Sequence, residues 1–139
     1  MSQRLVWPDP EVIAPFLPTP LGWKVLVVLP HVETKTDGGL LLPDTVRDDA
    51  TMAGTVGRVA KLGPHAYDPE RFTQGPWVKV GDFVGFNTYA GEVKEAKIGN
   101  QHVPEGMRDT STGYFLLKMR VFNDDELSLG DADRMEGWI

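Results

Sequence analysis

Few residues of this 139-residue chain have the types and spacing that chemistry requires. Its three histidines, His31, His65 and His102, are far apart, with no HxH or HxxxH spacing and no cysteine to assist. Divalent metals are held by such clustered ligands, so the pattern predicts solvated loop histidines and no metal site. Asp48-Asp49 and Asp124-Asp125-Glu126 are the adjacent carboxylates that acid–base work could use. Each falls in a predicted turn, where aspartate is favoured because its side chain bonds nearby backbone amides. Serine is confined to Ser2, Ser111 and Ser128, without GxSxG, and the glycines form neither GxGxxG nor a P-loop. The chain reads as a non-enzyme with no cofactor of its own.

Recognition is a different matter. Residues 32–43 read VETKTDGGLLLP: five polar residues, then Gly38 and Gly39, then Leu40, Leu41 and Leu42, then Pro43. A strand buried on one face alternates apolar and polar residues, and three adjacent leucines do not. The Gly-Gly pair is maximally flexible, and Pro43 stops extension into a sheet ladder. Two readings stand: a mobile loop with an apolar tip suited to a groove on a partner, or a hairpin turn whose leucines pack in the chain's own core. The segment alone favours the second.

The elements around it shift that balance. Residues 24–29 form a strand apolar on both faces, as expected of one buried on both sides. The next strand spans 54–62, with Val56, Ala60 and Leu62 on one face and Gly57, Val59 and Lys61 on the other. Residues 31–52 between them lack a structural period, and loops that long inside compact domains are usually functional or disordered. Further strands are predicted over 77–80, turning at Gly81-Asp82 into 82–88, then over 92–98, 114–122 and 126–129, with loops at 63–76 and 100–113. Five prolines mark residues 1–20 as an arm lying along a surface, where Asp9 suits an N-cap and Pro10 a first helical position. One domain over 21–129 with a tail over 130–139 completes the division. Trp23 and Trp77 read as core or rim residues; Trp7 and Trp138 read as candidates for packing on a neighbouring chain.

In order, the ETKxxGG loop with its apolar tripeptide, the GTVGRV strand and the VKVGDFVGF strand resemble the GroES family of co-chaperonins. The likeness runs from about Pro20 to Ile98 and resumes near Tyr114. It implies an all-β fold: a GroES-like irregular β-barrel with a long mobile loop, assembling as a ring, most simply a heptamer. It also implies that Leu40, Leu41 and Leu42 insert between two helices of a GroEL-type chaperonin, with Gly38 and Gly39 forming the turn. The nucleotide, ATP or ADP, then belongs to the partner, and the closed chamber holds a folding substrate. Residues 63–76 take the place of the family's roof hairpin but are proline-rich, which implies a wider or differently built dome. The arm, the 100–113 insertion and the tail extend beyond the family's usual plan. Such divergence around an intact loop resembles phage-encoded co-chaperonins, which act in the host cytoplasm. The alternative is a GroES-like virion-structural or interaction protein without chaperonin binding.

Composition agrees with this class. The 26 glycines and prolines (15 and 11) favour a turn-rich β fold, and the lack of cysteine fits a reducing cytoplasm. A net charge of −6 opposes nucleic-acid binding, which needs a basic face. No apolar run is long enough to span a membrane, and the first residues do not read as a secretory signal.

Overall fold

The computed structural model describes residues 5–32 and 56–130. The chain is all-β, as expected. Its elements are β1 (Leu5–Val6), α1 (Pro10–Ile13), β2 (Lys24–Val28), β3 (His31–Val32), β4 (Val56–Leu62), β5 (Phe83–Phe86), β6 (Glu92–Gly99), β7 (Tyr114–Asn123) and β8 (Leu127–Gly130). Six strands form one antiparallel sheet in the order β6-β7-β2-β4-β5-β8, and β1 with β3 makes a separate two-stranded ribbon.

β2 explains why its sequence is apolar throughout. Alternating side chains enter two different cores: Leu26 and Val28 go to one face, Val25 and Val27 to the other. The first core is roofed by the arm and the 100–113 segment, through Ile13, Leu17, Val103 and Met107. The second is roofed by the 64–82 segment, through Tyr67 and Val78. A strand sandwiched in this way cannot alternate polar and apolar residues without burying a charge.

The arm forms as its residue types dictate. Asp9 caps α1 by accepting the Glu11 amide at 3.0 Å, Pro10 occupies the first turn, and the helix passes into a 3-10 turn at Ala14–Phe16. The 100–113 segment contains two 3-10 turns, Asn100–His102 and Glu105–Met107, tied together by Asn100 and Asp109.

Two expectations about strands need correction. The pairing of β2 with β4 shifts between Leu26 and Val27, so that Val27 faces Val59 while Leu26 faces Lys61. The extra residue, Ala60, is a bulge, and a bulge reverses the alternation beyond it. Leu62 therefore joins Val59 over the second core, whereas the sequence pattern places them on opposite faces. Residues 77–80 form no strand. Asp82 accepts the Lys79 amide at 3.0 Å and Gly81 takes a φ of 97°, which folds the segment into a tight turn against β4. Only Phe83–Phe86 enters the ladder.

Candidate functional site

The predicted site residues Gly38, Gly39, Leu40, Leu41 and Leu42 lie outside the described residues, as do Asp48 and Asp49. Both ends of their segment are anchored in strands. The chain leaves the sheet from β2, where the Leu29 amide donates to the Lys118 carbonyl at 3.1 Å, and pairs His31 and Val32 with Val6 and Leu5. It returns in β4 at Val56, and Val28 lies opposite Arg58. The segment thus connects two adjacent, antiparallel strands. Val28, Leu29 and Val56 are fully buried at its root. Gly57, at the start of the return, has no room for a side chain: a Cβ there falls 2.2 Å from the Val27 methyl. The imidazole of His31 meets Phe115 edge-on at 5.0 Å, beside a small depression of about 40 Å³ lined by Leu29, Pro30 and residues 115–118.

A second constellation lies in the 63–77 segment. Gly63 is pressed against the preceding turn, where a Cβ would stand 2.5 Å from the Gly22 carbonyl, and the His65 amide donates to that same oxygen at 2.9 Å. Tyr67 then adopts a φ of 59°, uncommon for a non-glycine residue. The cause is Asp124, which accepts the Tyr67 amide at 3.0 Å and both terminal nitrogens of Arg71 at 2.7 and 2.8 Å. Asp124 lies in the turn expected of it, but its carboxylate is fully buried and bonds a distant segment rather than nearby amides. Burial works to raise its pKa, but the Arg71 hydrogen bonds and the Tyr67 amide outweigh it and hold the carboxyl below its ordinary range. The Arg71 guanidinium lies over Trp23 at 4.8 Å and Phe72 at 5.1 Å. Phe72 packs edge-on against Tyr67 and Trp77.

Tyr67 is itself a titration element. Burial first, then the carboxylates of Asp124 and Asp125, push its phenol up to about 12. A raised value means that this contribution is complete below the unfolded pKa near 10 and is lost as pH rises through about 12. Denaturant melts between pH 10 and 12 are expected to show stability falling by about 1.4 kcal/mol per unit from this group. The Tyr67 hydroxyl is buried without a partner among the described residues. Tyr67→Phe should therefore remove that alkaline slope and add about 1 kcal/mol at neutral pH.

Residues 18–104 match the family model described as the Chaperonin 10 Kd subunit, Cpn10. That is more than half of the chain, and it includes the whole 33–55 segment and the strands at both of its ends. The chain belongs to the Cpn10 family. α1 and β7 fall outside the matched residues of this Cpn10 chain, although β7 is an interior strand of the sheet, between β2 and β6.

The histidines make separate local contacts. His65 lies 3.5 Å from Asp68, and His102 stacks on Phe16, far in sequence from His31. Among the described residues no three metal-ligating side chains come together. No helix among them is long and apolar enough to cross a membrane. Trp23 and Trp77 are half exposed, at the rim of the second core. Trp7 meets the chain's own Phe83 at 5.0 Å.

Sequence reasoning missed Arg120, an arginine in the apolar run of β7. It is buried, lies over Phe86 at 5.1 Å, and donates to the carbonyls of Thr88 and Ala90. Desolvation lowers its pKa. It fixes the turn that delivers the chain into β6. A cation between Met119 and Val121 in a strand otherwise largely apolar was the available signal, since buried cations require partners.

Proposed function

We propose that this Cpn10 chain is the cap of a GroEL-type chaperonin, assembling as a heptameric ring and closing the folding chamber over its substrate. Leu40, Leu41 and Leu42 enter an apolar groove on the chaperonin, and Gly38 and Gly39 make the turn that presents them. The reading is carried by the family match, which spans the VETKTDGGLLLP segment and both strands that anchor it. A well-packed root under a glycine-hinged apolar tip suits such docking: the sheet bears the load, and the tip adapts to the groove. Adenine nucleotide binds to the chaperonin and controls whether its grooves are presented. The divergent arm, insertion and tail support an origin in a phage and action in its host's cytoplasm.

The same segment carries Lys35 and Arg47, which makes trypsin a direct probe. Cleavage at these two residues is expected to come first in the free protein and to be suppressed when chaperonin and nucleotide are added. Equal cleavage with and without the chaperonin contradicts the assignment of the loop.

A further inference from the structure

The root of the 33–55 segment is held by the chain's own N-terminal arm. β1 and β3 form a two-stranded ribbon apart from the main sheet, with Leu5 opposite Val32 and Val6 opposite His31. His31 and Val32 immediately precede the segment, so the arm grips its outgoing end. The next arm residue reaches the returning end. The Trp7 indole meets Phe83 edge-on at 5.0 Å, and the Arg58 guanidinium lies over the same Phe83 ring at 4.8 Å. Arg58 stands two positions after Val56, where the returning strand begins.

A ribbon with two residues per strand is marginal by itself, so its persistence depends on what flanks it. The later part of the arm is firmly fastened: Ile13 and Leu17 are buried in the first core, and Lys61 donates to the Leu17 carbonyl at 2.9 Å. β1 is held by side-chain packing. Val6 lies against the first core, and a Cβ on Gly106 would stand 3.2 Å from a Val6 methyl. Trp7 supplies the other hold. Its indole N–H is buried with no acceptor among the described residues, so the ring contact with Phe83 is what it contributes there.

We propose that β1 is a strap with Trp7 as its latch. Closed, it sets the direction in which the 33–55 segment leaves the sheet; open, it releases His31 and Val32. Trp7 is thus a positioning residue for chaperonin docking, a role that rests on the capping function proposed above. Direction outweighs length here, because adding two residues to a segment this long hardly changes its closure entropy. Several loops on one ring gain avidity only when they reach their grooves together, so a lost take-off angle weakens all of them at once.

Amide exchange in the free, full-length protein reads the strap directly. Trp7→Ala is expected to speed exchange at His31 and Val32 about tenfold, as a local opening that leaves β2, β4 and β7 protected and the melting temperature unchanged. Trp7→Phe keeps an aromatic ring against Phe83 and should restore native exchange. Gly106→Val crowds Val6 and should open the ribbon in the same way. With chaperonin and nucleotide, affinity should fall severalfold in Trp7→Ala and recover in Trp7→Phe. Unchanged exchange at His31 and Val32 in Trp7→Ala would overturn the proposal, and so would faster exchange with undiminished capping. Equal acceleration throughout the sheet would also overturn it, by making Trp7 a general core residue. A native protein that never caps contradicts the capping function instead, and the exchange rates then decide the strap on their own.

Discussion

Leu41→Ser in every subunit should abolish stable capping while leaving the ring assembled and its melting temperature unchanged. Burying one leucine contributes about 2 kcal/mol, so each loop loses roughly thirtyfold in its own affinity. The triplet together contributes on the order of 5–8 kcal/mol. Ordering about ten loop residues opposes that by about 10 kcal/mol before new hydrogen bonds compensate. A single loop is therefore a marginal binder, and the proposed cap would hold only through several loops acting from one rigid ring. Avidity multiplies the defect in the same way that it multiplies the affinity, so a modest change per loop becomes loss of the complex. Co-sedimentation with chaperonin and nucleotide measures it. Capping at the wild-type level would mean that the leucines are not the docking residues.

Asp124→Ala should be the most damaging single change in the described core, lowering stability by about 3 kcal/mol and the melting temperature by roughly 10 °C. Asp124 is fully buried, and its removal leaves the Tyr67 amide without its acceptor at a left-handed backbone position. It also frees Arg71 from the stack between Trp23 and Phe72. Thermal melts followed by near-UV circular dichroism report both effects, since four aromatic side chains surround the pair. Asp124→Asn keeps an acceptor for the amide but loses the charge, and falls between Ala and the native protein. Because the native carboxyl titrates below its ordinary value, its contribution is present above about pH 4 and lost as pH falls through the lower folded value. Asp124→Asn should therefore flatten the acid limb of the stability curve. An Asp124→Ala melt within a degree or two of the native protein would refute this account of the 63–77 segment.

How much of this was legible in the sequence depends on the range of the interaction. The both-face apolar pattern of β2 directly encodes a strand between two cores, and the Asp9-Pro10 start of α1 is set by its own residues. The motif proposed to dock is likewise local, a run of adjacent residues, and it lies outside the described residues. What the pattern hides depends on distant partners. The bulge at Ala60 arises from pairing with β2, so the faces of Val59 and Leu62 could not be assigned from β4 alone. Residues 77–80 alternate like a strand, but the Asp82 side chain and Gly81 close a turn there. Asp124 does sit in the expected turn, but its role in the core was hidden because its partner, Arg71, is 53 positions away in sequence. Arg120 is bonded to carbonyls about 30 positions distant. Those partners hold the segments between strands, the part of the fold that periodicity describes least.

The central claim is that this Cpn10 chain caps a chaperonin in a nucleotide-dependent way. Native mass spectrometry of the protein, alone and mixed with a bacterial chaperonin plus ATP or ADP, tests it most directly. The account predicts a heptamer alone, and a heptamer-bearing chaperonin complex only when nucleotide is present. A ring or monomer that never joins the chaperonin in either nucleotide would contradict it and favour a GroES-like virion-structural or interaction protein.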